Sequence, residues 1–162
     1  MVDFATERSG GSIIKLEGLP GSTESFANSI NNAGKVVGTS VVGGLSYAVE
    51  WSGGIITKLG GLPGSTESFA TSINNVGQVV GFSDFVGGFE IATEWSDGSI
   101  LNLGSLPLLD FRTGSLAFGI NDSGQVVGLS FLIAPEPSTW AMMLVGFAGL
   151  AWAGYRRALR TA

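Results

Sequence analysis

Trp51 and Trp95 head two copies of one pattern, 44 residues apart, and Leu16 to Leu59 and Pro20 to Pro63 are both steps of 43. A chain that copies itself at this period builds from one supersecondary unit stacked on its own repeats, as solenoids and propellers do. The unit runs from Trp51 to Glu94. It opens on Trp51-Ser52-Gly53-Gly54-Ile55-Ile56, passes through Gly61-Leu62-Pro63-Gly64, and continues as Phe69-Ala70-Thr71-Ser72-Ile73-Asn74-Asn75-Val76-Gly77-Gln78-Val79-Val80-Gly81. A last strand-like run then leads to Trp95.

Each unit divides into four strand candidates. Before the tryptophan, Leu45, Tyr47, Val49 and Trp51 alternate with Ser46, Ala48 and Glu50, the period of a strand buried on one side. Ser52-Gly53-Gly54 and Ser96-Asp97-Gly98 follow as tight turns, because glycine accepts positive φ at no steric cost. Ile55–Leu59 and Ile100–Leu103 form the second strand, and Pro63 blocks ladder pairing in the loop beyond it. The remaining two strands are joined by Asn-Asn-Ala-Gly, Asn-Asn-Val-Gly and Asn-Asp-Ser-Gly, which read as hairpin turns capped by Asn and closed by Gly. Three extra residues in the last unit place residues 108–115 in a loop. Trp51, Trp95, Ile30, Ile73 and Ile120 recur at fixed points and are the expected repeat core.

Four strands per 43 or 44 residues is the arithmetic of a propeller blade. The expected fold is all-β: about three four-stranded propeller-like blades, an array too short to close a ring of four to eight. Its free strand edges would invite pairing. Residues 4–16 lie over residues 47–59 with Arg8 at the tryptophan position, so the chain is expected to begin in mid-unit. Met1–Leu16 carries Asp3, Glu7 and Arg8 in place of a basic start and an apolar run, and so does not read as a signal peptide.

Composition narrows the chemistry. Without cysteine or histidine, disulfides, thiol nucleophiles, Ser-His-Asp triads and the usual zinc ligands are closed together. Before Pro135 the chain holds twelve of the thirteen acidic residues and five of the eight basic ones, a net charge of −7 that repels phosphates and argues against nucleic acid. Glu50 and Glu94 recur one per unit, which favours a structural role over a glycosidase carboxylate pair. The Asn-Asn-x-Gly turns lack the acidic ligands of a calcium loop. No enzyme activity, metal or cofactor is expected.

The recurring Ile-Asn-x-x-Gly-Gln/Lys-Val-Val-Gly, with Glu-Trp-Ser-x-Gly and Leu-Gly-x-Leu-Pro-Gly, resembles the HAF repeats of bacterial extracellular proteins over residues 4–130. That resemblance implies export and says little about biochemical activity. Arg8 for Trp, and Pro107-Leu108 for Pro-Gly, depart from the pattern.

The C-terminal stretch is of another kind. Residues 137–155 carry no charge, close to the ~20 apolar residues that cross a bilayer as a helix. Trp140 stands at one end and Trp152 and Tyr155 toward the other, with Leu144, Phe147 and Leu150 between them. Arg156, Arg157 and Arg160 follow as a stop-transfer cluster that stays in the cytoplasm. The expected division is a β-repeat array at 1–132, a linker at 133–139, a transmembrane helix at 140–155 and a basic tail at 156–162.

Pro135-Glu136-Pro137, one apolar span and a terminal basic cluster, in that order, resemble the PEP-CTERM sorting signal. The resemblance implies that Pro135, Glu136 and Pro137 are recognised by an exosortase, a transpeptidase-like membrane enzyme, and that the span is a temporary inner-membrane anchor. It implies a cell-surface or extracellular-matrix destination, with extracellular polysaccharide as a candidate partner. The expected function is therefore a structural or adhesive surface protein. The alternatives are permanent C-terminal anchoring in the inner membrane, and a fragment of a secreted propeller-type hydrolase.

Overall fold

A computed structural model describes residues 3–106, 113–132, 142–145 and 147. The chain divides into two compact units, Met1–Leu132 and Ile133–Ala162.

The first unit is all-β. Its twelve described strands are β1 (Thr6–Ser9), β2 (Ser12–Lys15), β3 (Ser22–Ile30), β4 (Val36–Val42), β5 (Leu45–Ser52), β6 (Ile55–Lys58), β7 (Glu67–Ile73), β8 (Val79–Phe85), β9 (Phe89–Ser96), β10 (Ser99–Asn102), β11 (Thr113–Ile120) and β12 (Val126–Leu132). They pair into two complete antiparallel sheets, β3-β4-β5-β6 and β7-β8-β9-β10, flanked in sequence by two half sheets, β1-β2 and β11-β12.

The phase of the sheets differs from the phase of the sequence unit. Counting from the tryptophan strand groups β5 to β8, but each sheet is cut instead at the Gly-Leu-Pro-Gly loop. Pro63 removes an amide there, and Gly60 and Gly64 take φ of +80° and +87°, so the chain leaves one sheet and enters the next. A second difference lies in β11. It begins at Thr113, and Ser115 pairs with Ser130, so the inserted segment reaches strand before Ser115.

Turn chemistry sets the register. Gly53-Gly54 and Asp97-Gly98 hold positive φ at both central positions, the type I′ geometry whose twist matches the strands it joins. In each longer turn one asparagine replaces backbone partners: Asn31 Oδ1 accepts from Ala33 N and Lys35 N, both at 3.0 Å. Asn121 repeats this with Ser123 and Gln125.

Every inner hairpin also carries the same bulge, between Ala27 and Ser29, Ala70 and Ser72, and Ala117 and Gly119. Opposite each bulge is a glycine, Gly38, Gly81 or Gly128, whose missing Cβ leaves room for the carbonyl oxygen of Phe26, Phe69 or Leu116. A bulge bends its strand, and the three bends fall at matching places in the repeat.

The core consists of three slabs between successive sheets. Val37 and Ala48 on one sheet meet Ala70, Ile73, Val79 and Trp95 on the next. Val80 and Ala92 meet Ala117, with Ile120 and Val126 packed against them. Ala5 meets Val36, Val49 and Trp51. The strand before the tryptophan is consequently buried on both faces, Ala48 and Val49 alike being fully inaccessible, where its alternation suggests a one-sided strand. Alanine reads as the polar side in that pattern, but here it is the small residue that lets two sheets approach.

Side-chain acceptors lock the slabs together. Ser25, Ser68 and Ser115 accept from the amides of Ala5, Ala48 and Ala92 at 3.0, 3.0 and 2.9 Å. All three serines are buried and satisfied, which is the condition for holding a polar group in a core.

In the second unit, residues 142–145 and 147 are helical, with Met142, Leu144, Val145 and Phe147 exposed at 67 to 72%. Among the described residues no helix is long and apolar enough to cross a membrane. The expected span at 140–155 lies mostly outside the described residues.

Candidate functional site

Two regions carry candidate function, the surface of the array and the C-terminal segment. On the array, the recurring carboxylates are occupied. Glu50 accepts from Lys35 Nζ at 3.0 Å and Glu94 accepts from Gln78 Nε2 at 3.0 Å. Each bond ties the tryptophan strand to the turn of its own sheet, so a lysine in one copy and a glutamine in the next do the same positional work.

A groove of about 440 Å³ lies between the two complete sheets, lined by Lys35, Glu50, Lys58, Trp95 and Asp97 among others. Lys58 Nζ sits 3.4 Å from the ring centroid of Tyr47, a cation held against an aromatic face. Among the described residues no cluster of three or more His, Cys, Asp or Glu could hold a metal.

The titratable groups with displaced protonation lie elsewhere. Glu90 is held above the ordinary carboxylate range by burial and then by Asp84, its cross-strand partner. Asp122 is held below it by the backbone and side-chain amides of Asn75. The first is a like-charge pair on a strand ladder and the second a turn contact between sheets.

Of the residues expected in the repeat core, Trp51 and Trp95 are each 4% exposed and Ile73 is 6% exposed. Ile120 packs partly buried against Val80 and Ala117. Ile30 differs: it stands 53% exposed on β3, because the sheet that would cover its face is represented there by β1 and β2 alone. The buried serines also recur, with a step of 43 from Ser25 to Ser68, the one sequence signal that marks them.

In the second unit, Leu144 and Phe147 are helical and exposed. Pro135, Glu136, Pro137, Trp140, Leu150, Trp152, Tyr155, Arg156, Arg157 and Arg160 lie outside the described residues.

Comparison with protein families matches residues 134–157 to the PEP-CTERM protein-sorting motif. The match covers Pro135, Glu136, Pro137, the uncharged run and Arg156-Arg157, and it implies exosortase-type processing. Comparison with curated proteins and with solved structures gives no match.

Proposed function

We propose that this chain is an exported bacterial protein of the cell surface or extracellular matrix, with a structural or adhesive β array delivered by its C-terminal sorting segment. The observation that carries this reading is the order of parts. A β unit ends at Leu132, and the sorting motif starts two residues later, at 134. A cargo followed directly by a sorting tail is the arrangement a membrane processing enzyme can act on, and the two prolines of the motif disfavour a helix at the recognised tripeptide.

In this reading Trp140 to Tyr155 is a temporary inner-membrane anchor, and Arg156, Arg157 and Arg160 hold its cytoplasmic end. The array is of the HAF-repeat kind, and its four-stranded antiparallel sheets are propeller-like blades. Exposed loops and grooves on a net-acidic surface suit contact with a neutral, hydroxyl-rich polymer such as extracellular polysaccharide. The work is binding or scaffolding without catalysis, which agrees with Glu50 and Glu94 being spent on Lys35 and Gln78.

Fractionating cells with and without the exosortase tests the proposal. A shortened extracellular product is expected in the first strain, with full-length protein held in the inner membrane of the second. Full-length protein in the inner membrane of both strains overturns sorting and establishes permanent anchoring.

A further inference from the structure

The two half sheets are complementary parts of one whole sheet. β11 and β12 reproduce the inner pair of a complete sheet, down to the bulge between Ala117 and Gly119. β1 and β2 reproduce the outer pair: Thr6↔Lys15 and Glu7↔Ile14 match Val49↔Lys58 and Glu50↔Thr57. We propose that β12 of one chain pairs with β1 of a second copy, completing the sheet β11-β12-β1-β2 across two chains.

The exposure of matched residues carries the argument. Val37 and Val80 are fully buried, but Val127 at the same place in β12 is 67% exposed. Ala70 and Ala117 are 0% and 1% exposed and Ile73 is 6%, but Ala27 is exposed and Ile30 stands at 53%. In the intact junction Val37 packs in the same cluster as Ala70 and Ile73. Among the described residues, Val127 at one end and Ala27 with Ile30 at the other are thus the two unfilled sides of that contact. A repeat array ordinarily closes its ends with polar caps, and an uncapped apolar strand edge is a template for pairing.

At the N-terminal side the vacant place is a groove of about 240 Å³ lined by Glu7, Ala27, Ile30 and Val36 among others. The repeat supplies its occupant and the register. Val36↔Trp51, Val37↔Glu50 and Gly38↔Val49 become Val126↔Arg8, Val127↔Glu7 and Gly128↔Thr6 between copies. Gln125 then reaches Glu7 as Gln78 reaches Glu94. Asn121 donates to the partner copy's first turn as Asn31 donates to Asn74. Arg8, in the tryptophan position, lays its aliphatic stem on the slab and keeps its guanidinium at the rim.

In the chain, β12 is followed directly by the sorting motif at residues 134–157. The described strands form two complete sheets and two halves, so two copies joined at these halves bring six sheet equivalents together, a number within the four to eight of closed propellers. A head-to-tail contact that closes on its second copy gives a ring. This assembly is independent of sorting, since it uses only residues 5 to 132.

The chain has no cysteine, so site-directed crosslinking is clean. Full-length Glu7→Cys and Val127→Cys chains, mixed in mild detergent and oxidised, are expected to form a disulfide-linked heterodimer, with neither chain giving a comparable yield alone. The unmodified protein is expected to sediment as a dimer and Val127→Glu as a monomer, half the mass, with an unchanged circular dichroism spectrum because Val127 is exposed within one chain. A dimer that survives Val127→Glu is held by the tail and overturns the proposal. A Glu7→Cys/Val127→Cys double variant that crosslinks only within one chain overturns it equally, as does an unmodified protein that sediments as a monomer.

Discussion

The side-chain amide of Asn74 donates to the backbone carbonyl of Asn121 at 3.0 Å, joining the turns of neighbouring sheets, and Asn31 makes the same bond to Asn74. Asn74 is 3% exposed and also bonds Gln78 through both its amide and its carbonyl oxygen. Replacing it with alanine removes three part-buried bonds and leaves a cavity at a buried position, an expected loss of about 2 kcal/mol. In the Val127→Glu background, which keeps the chain single, Asn121→Ala touches only its own exposed turn and is expected to cost about half as much as Asn74→Ala. Urea unfolding compares them; equal losses would mean the inter-sheet bond contributes nothing.

Gly81→Ala is expected to destabilise by about 2–3 kcal/mol. An added Cβ meets the backbone of Phe69 and Ala70, which cannot rotate away as a side chain can. Gly88→Ala, where a Cβ meets open space, loses only what positive φ costs, about 1 kcal/mol. Thermal unfolding of the pair decides whether the bulge or the turn is the stricter constraint.

The two buried tryptophans are expected to tolerate phenylalanine unequally. Trp51 Nε1 donates to the Glu17 carbonyl at 2.7 Å, whereas Trp95 Nε1 is buried with no partner among the described residues. Both substitutions lose similar apolar area. Trp51→Phe also breaks a hydrogen bond and Trp95→Phe relieves an unpaired donor, so Trp51→Phe is expected to cost about 1 kcal/mol more. The reverse order would contradict the stated contacts.

Glu90 gives a pH dependence with a defined sign. Its folded-state affinity for a proton is raised, by burial first and Asp84 second, so the charged carboxylate penalises the fold. The penalty is absent below the ordinary glutamate range and develops as pH rises through the raised value. Glu90→Gln is therefore expected to gain stability over the parent between about pH 4 and pH 7, by up to roughly 0.5 kcal/mol given the solvent screening of a partly exposed pair. A gain that shrinks with rising pH would refute it.

Replacing Pro135, Glu136 and Pro137 together by alanine is expected to leave the array's unfolding midpoint unchanged and to abolish the shortened extracellular product. Western blotting of cell and medium fractions reads both forms. Release at the parent level would remove these three residues from the sorting step.

Much of this architecture is legible in the residues. Asn-Asn-x-Gly and Asp-Gly announce their turns because only a few residue types satisfy those backbone angles. The sorting segment declares itself because uncharged length and terminal arginines have few other uses. The phase of the sheets is less visible: a period reports that units repeat and leaves open where one sheet stops. Ala48 and Ala92 are ambiguous in sequence for a related reason. Against Trp51 and Trp95 they look like the solvent side of a strand, and only the approach of the neighbouring sheet makes a methyl group the right size. The exposure of Ile30 follows from its place in the first complete sheet, a property no local pattern encodes.

The repeated serine-to-alanine contact also bears on how such a chain changes over generations. Ser25, Ser68 and Ser115 fasten each junction by the same bond, so a duplicated stretch of 43 residues would meet familiar neighbours on both sides. Length can then grow or shrink by whole modules, since each new junction presents the same serine to the same alanine amide.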